Sequence, residues 1–248
     1  MRVAAIYDIH GNLPALEAVL ADVRRASVDR VVVGGDVFPG PLSSEALALL
    51  LELEIPATFI RGNGDREALA IADGAEPASV PERYRPAMRW VAETLTPEHR
   101  RIVGSWPETA RLRIDRLGEV LFCHATPRSD TEIFVRTTPD DRLAPIFEPA
   151  GALLVVCGHT HMPFDRTIGR VRVVNAGSVG MPFGEPGADW LLLGPGVEPR
   201  RTRYDLEKAA ERVRATSYPD AREFAERSIL KPPSEEEMLS LFSKAEIR

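Results

Sequence analysis

The chain has 248 residues, a formal charge of −6, 44% hydrophobic and 27% charged residues. That length and balance suit one large globular domain; they exclude extensive disorder, and no apolar run approaches the length of a membrane span. The acidic balance also excludes a general nucleic-acid binder, which needs a basic surface to neutralise phosphate.

Strand and helix alternate over the first 65 residues. Apolar β-branched runs at 3–7, 30–33 and 58–61 read as strands. Apolar residues at helical spacing predict helices over 13–26, with Asn12 as N-cap and Pro14 near its first turn, and over 44–53. This βαβαβ order predicts a parallel sheet covered by helices. Residues 66–110 read as a helical insertion, with helices over 85–94 and 97–103. Strands follow at 111–114, 119–123, 153–157, 170–175, 189–193 and 200–204, with Gly118 and Gly169 marking hairpins. Helices over 205–216, 220–227 and 234–244 form a polar C-terminal extension. The expected organisation is one domain over 1–204, with 205–248 packed on it and two sheets inside it, the first α/β, the second more antiparallel. The two cysteines, Cys123 and Cys157, are expected as buried strand residues, not as a disulfide framework. With an apolar start too short for a signal peptide, they point to the cytoplasm.

Five of the strand-like runs end in polar residues of one chemical kind. They lead into Asp8-Ile9-His10, Gly35-Asp36, Gly62-Asn63, His124 and Gly158-His159-Thr160-His161. Ligands of open α/β sheets bind outside the carboxyl ends of the strands, so two Asp, one Asn and four of the five histidines are aimed at one sheet edge. Imidazole nitrogens with carboxylate and amide oxygens suit divalent first-row cations, and the lack of thiolates argues against a structural zinc site. Seven ligands are too many for one tetrahedral ion. Two ions sharing a carboxylate would use them all, as in sites that clamp the attacking and leaving oxygens of a phosphoryl displacement. Spacing alone does not decide which ion each histidine would bind.

These five blocks, in this order, resemble the calcineurin-like metallophosphoesterase superfamily, and Asn175-Ala176-Gly177-Ser178-Val179-Gly180 is similar to that family's Asn-Pro-Gly-Ser-type loop. The resemblance implies an α/β fold of two mixed β-sheets packed as a sandwich and flanked by helices. It implies one ion on Asp8, His10, Asp36 and His161, a second on Asp36, Asn63, His124 and His159, and attack by a bridging hydroxide on a small phosphate ester. The expected cofactors are two divalent ions drawn from Mn, Fe, Co, Ni or Zn, with Mn favoured.

One block departs from the pattern. Where the family usually has a histidine after Gly-Asn, this chain has Gly64, which can supply no proton. General acid catalysis is worth about 10²–10⁴-fold, so esters with poor leaving groups should suffer most and a phosphodiesterase is favoured. Asp65 and His99 are weaker candidates for the missing donor, with surface roles favoured for both; Gly64→His is the substitution that would restore it. Arg128 is a candidate to bind substrate phosphate, the equal alternative being a loop brace paired with Asp130. Asn12, at a helix N-terminus, is a second candidate, with capping as its other role. The rival readings are a phosphomonoesterase or nucleotide phosphatase, and a non-catalytic metal-binding scaffold. The insertion and the tail are the segments expected to meet a partner or a second copy of the chain.

Overall fold

In the computed structural model, residues 1–77 and 80–247 are described; Ala78 and Ser79 of the expected insertion and Arg248 of the tail lie outside the described residues. The first sheet is built from β1 (Val3–Ile6), β2 (Arg30–Val33) and β3 (Ala57–Phe59), parallel as the βαβαβ order requires. It is completed by β9 (Ala188–Leu193), antiparallel to β1, and β10 (Val197–Thr202), antiparallel to β9. The second sheet runs β4 (Thr109–Ile114), β5 (Gly118–Cys123), β6 (Leu154–Cys157), β8 (Val171–Asn175), β7 (Phe164–Ile168), with β5, β6 and β8 parallel.

Strand periodicity assigns each residue to a layer. Val3, Ala5 and Tyr7 point between the sheets and meet Phe122, Leu154, Val156 and Val174 there. Ala4 and Ile6 point outward and pack under α1 (Leu13–Arg25) and α2 (Ser43–Leu51). On the far side, Leu121, Cys123, Val155 and Cys157 pack under α6 (Asp140–Phe147). The layers are therefore helix, sheet, sheet, helix. Both cysteines are buried and free, as expected.

Several elements differ from the sequence reading. The last strand covers 197–202, not 200–204. Neither α3 (Asn63–Ala72) nor α6 was foreseen. Asn63-Gly64 reads as a turn, yet Asp65 accepts from the Gly62 N–H at 3.0 Å and starts a helix there. Pro145 interrupts the signal of α6, which Leu143, Ile146 and Phe147 hold by packing on the second sheet. The insertion helices α4 (Arg85–Thr94) and α5 (Pro97–Gly104) form as expected.

The tail is less polar than its composition suggests. From α7 (Leu206–Arg214), Ala209, Ala210 and Val213 join the core beneath α1, with Phe224 of α8 (Ala221–Phe224) and Ile229. In α9 (Glu235–Phe242), Met238, Leu239 and Phe242 lean on Val135, Met162 and Phe183. No helix among the described residues is long and apolar enough to cross a membrane.

Candidate metal centre

The five polar strand ends belong to two sheets, which corrects the expectation of a single sheet edge. Asp8 and His10 follow β1, Asp36 follows β2 and Asn63 opens α3, all from the first sheet; His124 follows β5 and His159 and His161 follow β6 of the second. Stacking the sheets with β1 and β6 facing brings all seven side chains together. The loops after β1 and β2 run side by side, with Asp8 N–H donating to Gly35 O at 3.1 Å and His10 N–H to Asp36 O at 3.0 Å.

The backbone pays for this convergence in conformation. Among the described residues, seven non-glycine residues have positive φ, and five of them are Asp8, His10, Asp36, His159 and His161. Left-handed backbone costs on the order of 1 kcal/mol per residue and persists where surrounding bonds over-determine it. Here those bonds are visible. Asp8 Oδ2 accepts from the His159 N–H at 2.8 Å, and Asp36 Oδ1 from the Gly64 N–H at 2.8 Å. Each carboxylate is thus anchored through one oxygen by a loop from another strand, leaving the other oxygen for the cluster. Gly158 is required for this approach, since a Cβ there would sit 2.4 Å from Asp8 Oδ2.

Around the two free oxygens stand the imidazoles. Asp8 Oδ1 is 3.4 Å from His161 Nε2, 3.8 Å from His124 Nε2 and 3.9 Å from His10 Nε2. Asp36 Oδ2 is 3.5 Å from His124 Nε2 and 3.8 Å from His10 Nε2. Two of the ring nitrogens behind are spoken for: His161 Nδ1 donates to Met181 O at 2.9 Å and His124 Nδ1 to Gly34 O at 3.0 Å, while His10 Nδ1 is buried without a partner. In the neutral rings this places the Nε2 lone pairs inward, the tautomer a metal ligand needs. His10 Nε2 and His161 Nε2 are only 3.2 Å apart.

Charge follows the same geometry. Burial would raise the Asp36 carboxyl, but His124 and His10 outweigh it and hold it well below the ordinary carboxylate range. Burial would likewise strip His124 of its proton, but Asp36 and Asp8 push its pKa up to about 10. His159 goes the other way, lowered to about 4 by burial and by His124.

Two details fit a bound cation. Asp8 Oδ1 is buried with no hydrogen-bond partner, in the midst of three imidazoles. The end of the Asn63 amide facing the cluster lies 3.2 Å from His124 Nε2, 3.0 Å from His159 Nδ1 and 3.2 Å from Asp130 O. With the imidazoles neutral, as a cation requires, an amide oxygen there would meet only acceptors unless a cation sat between them; without one, the NH₂ belongs there. Asp8, His10 and His161 form one group, and Asp8, Asp36 and His124 another, each with ligand atoms within 4.8 Å of one another. The donor set therefore suits divalent cations.

Comparison with known proteins agrees with this chemistry. Residues 1–193 match the calcineurin-like phosphoesterase superfamily domain. The chain belongs to that superfamily. It is 27% identical over 239 residues to the uncharacterized protein MJ0912 of Methanocaldococcus jannaschii, covering 88% of this chain and 94% of that one. The fold superposes on hypothetical protein PH1004 of Pyrococcus horikoshii with a TM-score of 0.77 at 21% identity, over 94% and 99% of the two chains. A metallophosphoesterase from Sphaerobacter thermophilus aligns with a TM-score of 0.68 at 26% identity, over 91% and 97%.

Against the calcineurin-like pattern, position 64 is more than a missing histidine. A Cβ on Gly64 would lie 2.4 Å from the Phe38 carbonyl oxygen, so Gly64→His collides with backbone before it can offer a proton. Asp65 is not a surface residue. It is fully buried and accepts from the N–H groups of Asp36 at 2.9 Å, Phe38 at 3.1 Å and Gly62 at 3.0 Å. Burial and the Asp36 charge push its carboxyl up to about 7. It clamps the Asp36 loop to the Asn63 turn, a role the sequence reading missed although an acid at the third position of a helix is a capping signal. His99 stays in α5, half-buried and outside the cluster.

Arg128 forks onto Glu132, with Nε 2.9 Å from Oε1, and not onto Asp130. Its side chain is 56% exposed. Asn12 caps α1 by accepting from the Ala15 N–H at 3.2 Å and donates to Gly180 O at 2.9 Å. The loop after β8 also supports the centre. Ser178 Oγ donates to Asp8 O at 2.7 Å, and Asn175 Nδ2 to Gly158 O at 2.7 Å.

Proposed function

We propose that this protein is a dinuclear metal-dependent phosphoesterase that favours phosphodiesters. The observation carrying this reading is the convergence of seven side chains from two sheets, with each carboxylate anchored by one oxygen and open by the other. Asp8, His10, Asp36 and His161 would hold one cation, and Asp36, Asn63, His124 and His159 the other; this nitrogen and oxygen set admits several first-row divalent ions, of which manganese is the one proposed. Two divalent cations side by side supply a nucleophile from water at neutral pH and neutralise charge on phosphoryl oxygens. The protein's part is preorganisation: the Gly34 and Met181 carbonyls fix two imidazoles, and Asp65 fixes the loop that carries Asp36.

Gly64 supports the preference for diesters. With no side chain there to protonate a departing alkoxide, substrates must bring a leaving group stable as an anion, and Phe38 O occupies the space a donor would need. The test is hydrolysis of an aryl phosphodiester by the purified protein with added Mn²⁺, before and after Asp36→Ala. The expected loss is at least about 10²–10³-fold, the scale for removing a preorganised charge-stabilising group. Activity independent of metal, or unchanged by Asp36→Ala, would overturn the reading.

A further inference from the structure

A phosphoesterase lacking a donor at position 64 needs another group to meet the charge on its substrate. Three arginines are close enough to consider. Arg128 is exposed and makes three short contacts with Glu132. Arg61 has a buried Nε without a partner, its Nη2 lies 3.8 Å from the exposed Glu108, and among the described residues no hydrogen bond fixes its guanidinium. Arg66 is placed differently. It lies on the first turn of α3, the turn whose Gly64 N–H holds Asp36 and whose first residue is Asn63. Its guanidinium is held by Asp130, with Nε 2.7 Å from Oδ2 and Nη2 3.1 Å from Oδ1, and Glu67 Oε1 lies 3.8 Å from Nη2. The carbonyl of the same Asp130 is 3.2 Å from the cluster-facing end of the Asn63 amide. Through Asp130 and α3 the charge is fixed at the Asn63 rim of the centre.

We propose that Arg66 is a substrate-binding residue that meets the phosphoryl oxygens of the ester on the Asn63 side of the centre, with Asp130 positioning its guanidinium. This assignment rests on the phosphoesterase reading above. The Arg66 side chain is 39% exposed and the Asp130 side chain 19%, so the fork stays open to an incoming anion. A half-exposed ion pair of this kind contributes little to stability, which leaves the guanidinium free to share its charge with phosphate. Planar, bidentate donors match phosphate geometry better than a lysine can. Arg66 has no proton to give at neutral pH, so its effect is electrostatic and consistent with the preference for good leaving groups.

The experiment compares Arg66→Met, Arg66→Lys and Asp130→Asn in the full-length, Mn²⁺-loaded protein. Inorganic phosphate binding is measured by calorimetry, aryl phosphodiester turnover by kcat and KM, and bound metal by elemental analysis. Arg66→Met should weaken phosphate binding about 10- to 100-fold, the loss of one charge-assisted contact, while metal content is unchanged. Arg66→Lys should recover part of that loss. Asp130→Asn, whose amide oxygen still orients one arm of the guanidinium, should weaken phosphate binding by less than Arg66→Met does. Equal losses in Arg66→Met and Asp130→Asn would mark a purely structural pair and overturn the assignment, as would unchanged phosphate binding in Arg66→Met. Arg66-dependent phosphate binding by a protein that hydrolyses no ester would keep this assignment and overturn the esterase reading instead.

Discussion

The two halves of the centre are held by different means. On the Asn63 side, support is local and buried: His124 is fixed by the Gly34 carbonyl, Asp36 by the Gly64 N–H, and both loops by the three bonds of Asp65. On the His10 side, His161 is fixed by the Met181 carbonyl and stacks on Phe183 at 5.4 Å, which in turn meets Phe242 of α9 at 6.2 Å. The first half depends on backbone within one α/β unit. The second leans on a helix from the far end of the chain. The same device, an imidazole Nδ1 on a backbone carbonyl, sets the tautomer in both, so the difference lies in what stands behind it.

The largest effect should come from breaking the clamp on the Asn63 side. Asp65→Asn keeps the shape but turns an acceptor pair into one acceptor and one donor, so at least one of three backbone N–H groups faces an NH₂. Leaving buried groups unpaired costs about 1–3 kcal/mol each, so a clear fall in melting temperature is expected. The Asp36 loop and the Asn63 turn would lose register, and metal retained through gel filtration should fall with them. If Asp65→Asn keeps both its stability and its metal, the clamp is not what secures this half.

How much of this was readable in advance differs between ligands and supports. The convergence of the candidate ligands was legible because each follows a short apolar strand and carries metal-binding chemistry, and both features are local. Which sheet each strand joins was not, because β5 and β6 pair through partners spread over 109–175. The supports were hidden for a related reason. Asp65 next to Asn63-Gly64 looks like part of a turn until Gly62, Asp36 and Phe38 are seen to donate to it from two loops. Phe242 lies in a tail whose composition is polar, and its neighbours Val135 and Phe183 come from loops with no periodic signal.

In the metal-free protein burial is outweighed by Asp36, and His124 holds its proton up to about 10; His161, beside Asp8, is also raised. His159, at about 4, is already neutral near pH 7. Cations must therefore displace a proton from His124 but not from His159, and the upward shift of His161 adds to the competition. Affinity should rise with pH by at least about tenfold per unit near neutrality, one factor of ten per proton released. Calorimetric Mn²⁺ titrations in buffers of different ionisation heat count those protons directly. A release of none would mean that both imidazoles are neutral before the metal arrives.

The smallest effect tests the His10 side. Phe242→Ala removes a half-exposed ring whose contact with Phe183 is worth about 1 kcal/mol, so global stability should change little. Phe183 would lose its outer neighbour, and the His161 ring would be less firmly stacked while its bond to Met181 survives. Metal affinity should then fall by less than about tenfold, the scale of a change one shell behind a ligand. The loss should be confined to the His10 side, which a chelator competition resolves as one weakened step and one unchanged step. Asp65→Asn should weaken the other step most, and the His10-side step less, through the Asp36 that both would share. If Phe242→Ala weakens both steps alike, the halves respond as one body and the tail supports the whole centre, not one side of it.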